Sequence, residues 1–467
     1  MVCSLAAIFF LIRAIGISGY GLFSVLMAAT ALLVAALEIG LNTLIMRDLT
    51  LEDPRHPSLL ESAWRLRHAT SILYVTIGAG VALFFYAHGQ HQLAGMSLLL
   101  GVAVPYTISG NLVQAGAYSY GLAAREAVVE AAAKLLWVVA VVLIYFIGGS
   151  WLIAAVTSLF LGGAPVLARR WLTGRRLHRG VSIPTTAVLA RSAPLALFPF
   201  IYLAFDRTDI LGLSLTATHA SVGQYSACYQ FADAMVILAA AALTVLQPTY
   251  SPPEGRKLRH EQTRRRLLTA VSWMSALGIA SSPLWLRIIA GSQLGSPYVA
   301  LTTVTLLGTG TIAYVAVQCD IIALVAAHRS AKMFFILASG AVAEFALVAW
   351  LGHYSIAVTA GLVCALEFAA VTISSHLCTR AGLSSGLLRG SAPAIVLSVS
   401  AAALEFILGP SIPVALLACA LCGFCGILTP SARGEAFSVL THVPYIGPPM
   451  IGFLKAVEHT MHLPTTP

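Results

Sequence analysis

An all-α membrane protein of about fourteen transmembrane helices is the fold class this sequence predicts, and three observations predict it. Hydrophobic residues make up 58% of the chain and charged residues 10%, against about 25% charged in an average soluble domain. Mean hydropathy is +0.87. Apolar runs of the roughly 20 residues that a spanning helix needs recur from end to end, and no polar segment is long enough to fold as a soluble domain. The net charge of +9 comes from basic residues in short connections between those runs, the distribution of the positive-inside rule rather than of a nucleic-acid-binding face.

The runs fall at residues 1–15, 20–45, 69–87, 93–117, 134–148, 151–168, 192–215, 223–247, 268–290, 297–326, 333–352, 355–377, 391–408 and 411–428. The first is shorter than a full span. It has neither a basic n-region nor a small-residue cleavage signal, so it reads as a truncated span and not as a signal peptide. Gly16 to Gly19 reads as a tight external turn, and Tyr20 to Ser24 begins the second span.

Placing the N-terminus in the cytoplasm puts 24 of the 27 Lys/Arg residues on that side: in 46–68, 118–134, 169–191, 248–267, 327–332, 378–390 and the tail. The other three, Arg13, Arg207 and Arg287, lie inside or at the end of a span. External connections are very short, as at His88–Gln92, Gly148–Ser150 and Gly352–Ser355. A membrane glycosyltransferase or polysaccharide polymerase needs a sizeable external loop or domain for its acceptor, so the pattern disfavours that class.

A weak internal repeat organises the chain. Gly21-Leu22-Phe23-Ser24 returns 202 residues later as Gly223-Gln224-Tyr225-Ser226, and the span exit at Leu44-Ile45-Met46 corresponds to Leu246-Gln247-Pro248. The pattern implies two six-helix lobes in the same orientation, as in transporters built from parallel repeats, followed by two extra helices. The expected division is 1–180, 181–380 and 381–467.

A charge near the bilayer centre costs on the order of 2.5 to 3.5 kcal/mol, so intramembrane ionisable residues usually face a bundle interior or a cavity. The list is short: Arg13; Glu38 and Asn42; Asn111 and Gln114; Asp206, Arg207 and Asp209; Asp233; Asp320; Glu344; Glu367. Asp206 and Asp209 share a helix face, with Arg207 turned about 100° away, an arrangement that suits either a bound cation or a structural ion-pair cluster. Glu38, just before Gly40, reads as a packed neutral acid or a proton- or cation-coupled gate. Glu344, Glu367 and Glu405 read as neutral groups hydrogen-bonded between helices, and Tyr225 and Tyr229 as a packing stripe. Eight cysteines lie in or beside apolar runs. The Cys422-x-x-Cys425 spacing lacks a second ligand pair, so it reads as small-residue packing and not as a metal site. No P-loop, H-E-x-x-H or nucleophile elbow occurs. Neither catalysis nor ATP-driven transport is expected of this chain alone, and no cofactor is called for.

Arg13-x-x-Gly16, then Tyr20-Gly21-Leu22-Phe23-Ser24, a long apolar helix, Glu38-x-Gly40-Leu41-Asn42 and Arg47 resemble the opening of the polysaccharide-biosynthesis flippases (Wzx type) of the multidrug/oligosaccharidyl-lipid/polysaccharide exporter superfamily. Arg207-x-Asp209, Gly223-x-Tyr225-Ser226-Ala227-x-Tyr229 and Pro248 resemble the second-lobe pattern of the same family. The motifs cover about residues 13–50 and 200–250, and the other spans match by hydropathy alone. The chain departs from the family in its truncated first span and in Gln247 before Pro248.

The resemblance implies a two-lobed, V-shaped transporter that moves undecaprenyl-pyrophosphate-linked oligosaccharide across the cytoplasmic (inner) membrane by alternating access, with both termini cytoplasmic. Pathway polymerase and glycosyltransferases are its implied partners. Arg13 and Arg207, one from each expected lobe, are the candidates to pair the pyrophosphate, with Asn42 and Gln114 beside them. The alternative within the superfamily is a cation-coupled drug or metabolite antiporter, with Glu38, Asp206, Asp209 and Asp233 carrying the coupling ion.

Overall fold

The structure is a computed structural model, and it describes residues 2–48, 56–89, 91–119, 123–163, 184–246, 256–327, 331–383, 392–409 and 411–428. Every regular element among them is helical. The chain divides into two compact units, Met1–Gly223 and Gln224–Pro467.

The first unit holds α1 (Val2–Leu37), α2 (Leu41–Asp48), α3 (His56–Ala87), α4 (His91–Ser119), α5 (Ala123–Ile147), α6 (Trp151–Gly163), α7 (Thr185–Thr216) and the start of α8 (His219–Leu246). α1 runs through both of the first two apolar runs, but it is broken at Gly16, whose φ of 70° and ψ of 166° are non-helical. The turn expected over Gly16–Gly19 is thus concentrated in one residue, because glycine alone enters that region without strain; residues 17–19 are already helical.

The second apolar run does not continue to residue 45. Helix α1 stops at Leu37, and Ile39 (φ 55°) and Gly40 (φ 65°) turn the chain into α2. That short helix fills the space between its neighbours: Leu41, Leu44 and Ile45 pack with Leu59, Leu60 and Ala63 of α3, Leu112 and Ala115 of α4, and Val188 of α7. Gly40 lies directly on α7, where a Cβ would stand 2.6 Å from the Ala196 nitrogen and 2.8 Å from the Leu195 carbonyl carbon.

The glycines that head the two copies of the repeated motif, Gly21 and Gly223, meet within this unit. A Cβ on Gly21 would lie 2.9 Å from the nitrogen of Gly223, the last residue of this unit, and one on Gly223 would lie 3.1 Å from the nitrogen of Gly21. Backbone touches backbone here, which only glycine permits.

The second unit contains the rest of α8, then α9 (Arg256–Ala280), α10 (Ser282–Ala290), a 3₁₀ turn (Gly291–Leu294), α11 (Pro297–Ala326), α12 (Ala331–Leu351), α13 (Ile356–Arg380), α14 (Ala392–Leu408) and α15 (Ile412–Leu428). The expected span 268–290 is bent by 63° between α9 and α10, and Trp285 Nε1 donates to the Gly278 carbonyl across the bend at 3.1 Å. Helices α14 and α15 pack on α9 through small side chains, Ala276, Ala280, Ala401, Ala418 and Cys422.

Seven helices among the described residues are long and apolar enough to cross a membrane, nine if each bent pair is one span. The fourteen read from hydropathy include shorter apolar helices, such as α6 and α15, and residues outside the described set, such as 164–168. Helices also begin earlier than the apolar runs: α3 at His56, α5 at Ala123 and α9 at Arg256, all within expected cytoplasmic connections. Large exposed apolar side chains on α3 (Ile72, Leu83), α5 (Phe146, Ile147) and α12 (Phe335, Trp350) are the faces such helices turn to lipid.

Candidate functional site

In the first unit the break at Gly16 ends the first limb of α1 three residues after Arg13. The Arg13 side chain is exposed, and its guanidinium carbon stands 4.1 Å from the ring centroid of Phe9, one helical turn earlier. Such an exposed cation–π contact is worth about 0.5–1 kcal/mol, which leaves a cation held over an aromatic face.

Helix α7 carries Asp206, Arg207 and Asp209. Asp206 is buried, Arg207 half-buried and Asp209 fully buried. Arg207 Nε lies 3.1 Å from Asp206 Oδ2, so its charge is shared with its own neighbour, and Asp209 Oδ1 accepts from the Ile210 amide at 2.7 Å. Arg13 and Arg207, expected on separate lobes, both fall within residues 1–223.

Glu38 and Asn42 straddle the α1–α2 turn, and both are half-buried. The Glu38 carboxylate accepts from the Asn42 backbone N–H, across the start of α2. Glu38 lies just beyond the span Ala6–Leu37. Burial raises its carboxyl above the ordinary range, opposed by the Arg67 guanidinium and by that N–H. Gln114 on α4 donates through Nε2 to Glu126 Oε1 at 3.3 Å, and Glu126 is buried in the first turn of α5, where the helix dipole favours a carboxylate.

Arg67 is one of the buried charges, with Glu126 and Arg264, that reading for intramembrane charge missed. It belongs to an expected cytoplasmic connection, yet it is 1% exposed on α3. Its Nη1 donates to the Leu37 carbonyl at 3.0 Å and its Nη2 to the Glu38 carbonyl at 2.9 Å. It satisfies carbonyls that the end of α1 leaves without intrahelical partners.

The second unit holds Asp233, half-buried on α8, and a buried network around Asp320 of α11. Arg264 of α9 donates through Nε to Asp320 Oδ1 at 2.9 Å and through Nη2 to Ser375 Oγ at 3.2 Å. Ser374 donates to Asp320 Oδ2 at 2.7 Å, His260 Nε2 is 3.3 Å from Oδ1, and Cys378 Sγ is 3.8 Å from the Asp320 carbonyl oxygen. The ligand atoms of His260, Asp320 and Cys378 lie within 4.8 Å of one another. A guanidinium already occupies Asp320 Oδ1, so a divalent cation would have to displace it; the arrangement suits an ion-pair junction of α9, α11 and α13 better than a metal centre.

The chain folds like known transporters. It superposes on a multidrug resistance MATE family transporter of the MOP superfamily in its inward-facing conformation with a TM-score of 0.62 at 15% identity, covering 81% of this chain and 94% of that one. It superposes on the lipid II flippase MurJ, inward closed conformation, with a TM-score of 0.65 at 11% identity, covering 90% and 96%. No curated protein sequence matches it. The polysaccharide biosynthesis protein family matches residues 3–252, more than half of the sequence. This all-helical, multi-pass membrane chain belongs to that family.

Proposed function

We propose that the chain is a flippase that carries undecaprenyl-pyrophosphate-linked oligosaccharide across the cytoplasmic membrane for surface polysaccharide biosynthesis. The observation that carries this reading is the family match over residues 3–252, and the likeness to a lipid II flippase fold supports it. Sugar and pyrophosphate cannot cross hydrocarbon unaided, since each unsatisfied polar group there costs several kcal/mol. A protein that shields them while the polyprenyl tail stays in lipid removes that barrier without covalent chemistry. The lobes read from the repeat, 1–180 and 181–380, with 381–467 outside them, are the bodies whose rocking would expose the cargo to either side. Both termini are cytoplasmic in this reading, and the pathway's polymerase and glycosyltransferases are its partners.

Arg13 and Arg207 are the proposed pyrophosphate contacts. Arg13 is exposed over Phe9, and Arg207 would exchange part of its pairing with Asp206 for phosphate oxygens. Asn42 and Gln114 are proposed to contact the glycan, Gln114 in competition with Glu126. Arg13→Ala and Arg207→Ala are expected to abolish surface polysaccharide at unchanged protein abundance. Full polysaccharide output from both variants would remove these residues from the cargo site.

The buried carboxylates Asp206 and Asp209 favour a second reading, a cation-coupled antiporter in which they act with Glu38 and Asp233. In that case expression in a pump-deficient strain raises resistance to cationic dyes, and no change counts against it.

A further inference from the structure

Glu405, expected to hydrogen-bond between helices, is fully buried on α14, and both its carboxylate oxygens lack a hydrogen-bond partner among the described residues. It lies one turn after Ala401 and so shares its face, the face packed against Ala276 and Ala280 of α9 and Ala418 and Cys422 of α15. Among the described residues, the helices packed on α14 offer it no free countercharge. Residues 267–280 of α9 and all of α15 carry no charged side chain, and Glu405 is the only charged residue of α14. Helix α11, which also packs on α14, brings Tyr298 against Phe406 at a centroid distance of 5.4 Å. Its one charged residue, Asp320, is committed to Arg264 and Ser374. Among the described residues of these helices, Cys419 is close enough to interact with the Glu405 charge, Cys422 belongs to the same packed face, and Tyr298 packs on the adjoining Phe406.

An ionised carboxylate without a partner is not tolerated in such a place, and even the neutral acid leaves a donor unused. A leucine would pack there at less cost, so the docked arrangement alone gives no reason for a carboxyl. A second arrangement does: when α14 and α15 separate from α9, water reaches Glu405 and the acid can ionise.

We propose that Glu405 is a proton-binding site that couples protonation to docking of the α14–α15 hairpin on α9, the proton bound when the hairpin is docked and released when it lifts. The two helices meet at Gly409 (φ 87°), a glycine-only conformation suited to a tight hairpin. By linkage, the state that binds the proton more tightly is favoured as pH falls, so acid holds the hairpin down and alkali frees it. The coupling does not depend on which cargo the chain carries.

The full-length protein in lipid nanodiscs provides the test. Infrared spectra at neutral pH should contain a protonated-carboxyl band that Glu405→Gln removes. Maleimide labelling of Cys422, followed by peptide mass spectrometry, should rise severalfold more between neutral and alkaline pH in the wild type than in Glu405→Gln, because thiol ionisation itself is common to both. Glu405→Leu should unfold at a temperature at least as high as the wild type. Infrared spectra that do not differ between wild type and Glu405→Gln, or equal labelling slopes, would overturn the proposal. So would a large loss of stability in Glu405→Leu, which would mean that the carboxylate is held by a partner.

Discussion

Each compact unit buries an arginine about two to three turns into a long helix that begins in an expected cytoplasmic connection, and the two arginines are satisfied by different chemistry. Arg67 on α3 donates to two backbone carbonyls, those of Leu37 and Glu38. Arg264 on α9 donates to the carboxylate of Asp320, whose second oxygen is taken by Ser374. The first is a cap: its acceptors are neutral, and they belong to a helix end that has just been broken. The second is a closed charge pair between helices that are otherwise continuous. In the first unit the arginine stabilises a turn, and in the second it fixes the register of α9, α11 and α13. Losing each should therefore leave behind a different kind of debris.

The largest effect is expected at Arg264. Arg264→Met strands the fully buried Asp320 carboxylate, and breaking such a pair costs about 3–5 kcal/mol. Replacing both partners, Arg264→Met with Asp320→Leu, should recover most of that loss, because an apolar pair of similar volume is often neutral or better. Denaturant or thermal unfolding of the two variants side by side measures the difference. A double variant as unstable as the single one would mean that the charges are not coupled and that the contrast with Arg67 is false.

At Arg67 the loss should be smaller, about 2 kcal/mol, since hydrogen bonds from a charged group are worth about 1.5–3 kcal/mol and the carbonyls left behind are neutral. The comparison sharpens if the neighbouring acid is changed instead. Glu38→Gln keeps both carbonyl acceptors of the buried Arg67 and should cost little, within about 1 kcal/mol, since Glu38 itself is only half-buried. A loss in Glu38→Gln equal to that in Arg67→Met would make the first-unit contact an ion pair as well.

What was legible in the sequence follows the same divide. Hydropathy revealed the helical membrane class, and the internal repeat picked out Gly21 and Gly223, although nothing in the repeat showed that their backbones touch each other. The break after Leu37 was marked only by Gly40, inside a run apolar enough to look continuous. Arg67 and Arg264 were read as loop charges because an apolar run ends where charge begins, while the helix does not. Their burial depends on partners 30 and 56 residues away, distances at which no periodicity carries a signal. Gln114 stood out as a polar residue in an apolar helix, but its hydrogen-bond partner Glu126 was assigned to a connection. Glu405 was visible as a charge in an apolar helix, but its lack of partners is a property of the packing alone.

The smallest effect tests whether the second unit's network is closed. Ser374 donates to Asp320 Oδ2 at 2.7 Å, while the Arg264 guanidinium holds Oδ1 and reaches Ser375 as well. Ser374→Ala removes one hydroxyl donor from a carboxylate that keeps its arginine, so the expected loss is about 1 kcal/mol, near the net value of a single hydrogen bond. The same substitution in the Arg264→Met background should cost more, because the hydroxyl is then one of the few donors left to a buried charge. A double-mutant cycle measures that surplus. Strict additivity would mean that Arg264 and Ser374 act on Asp320 independently, and the second unit's arginine would then be a simple pair rather than part of a network.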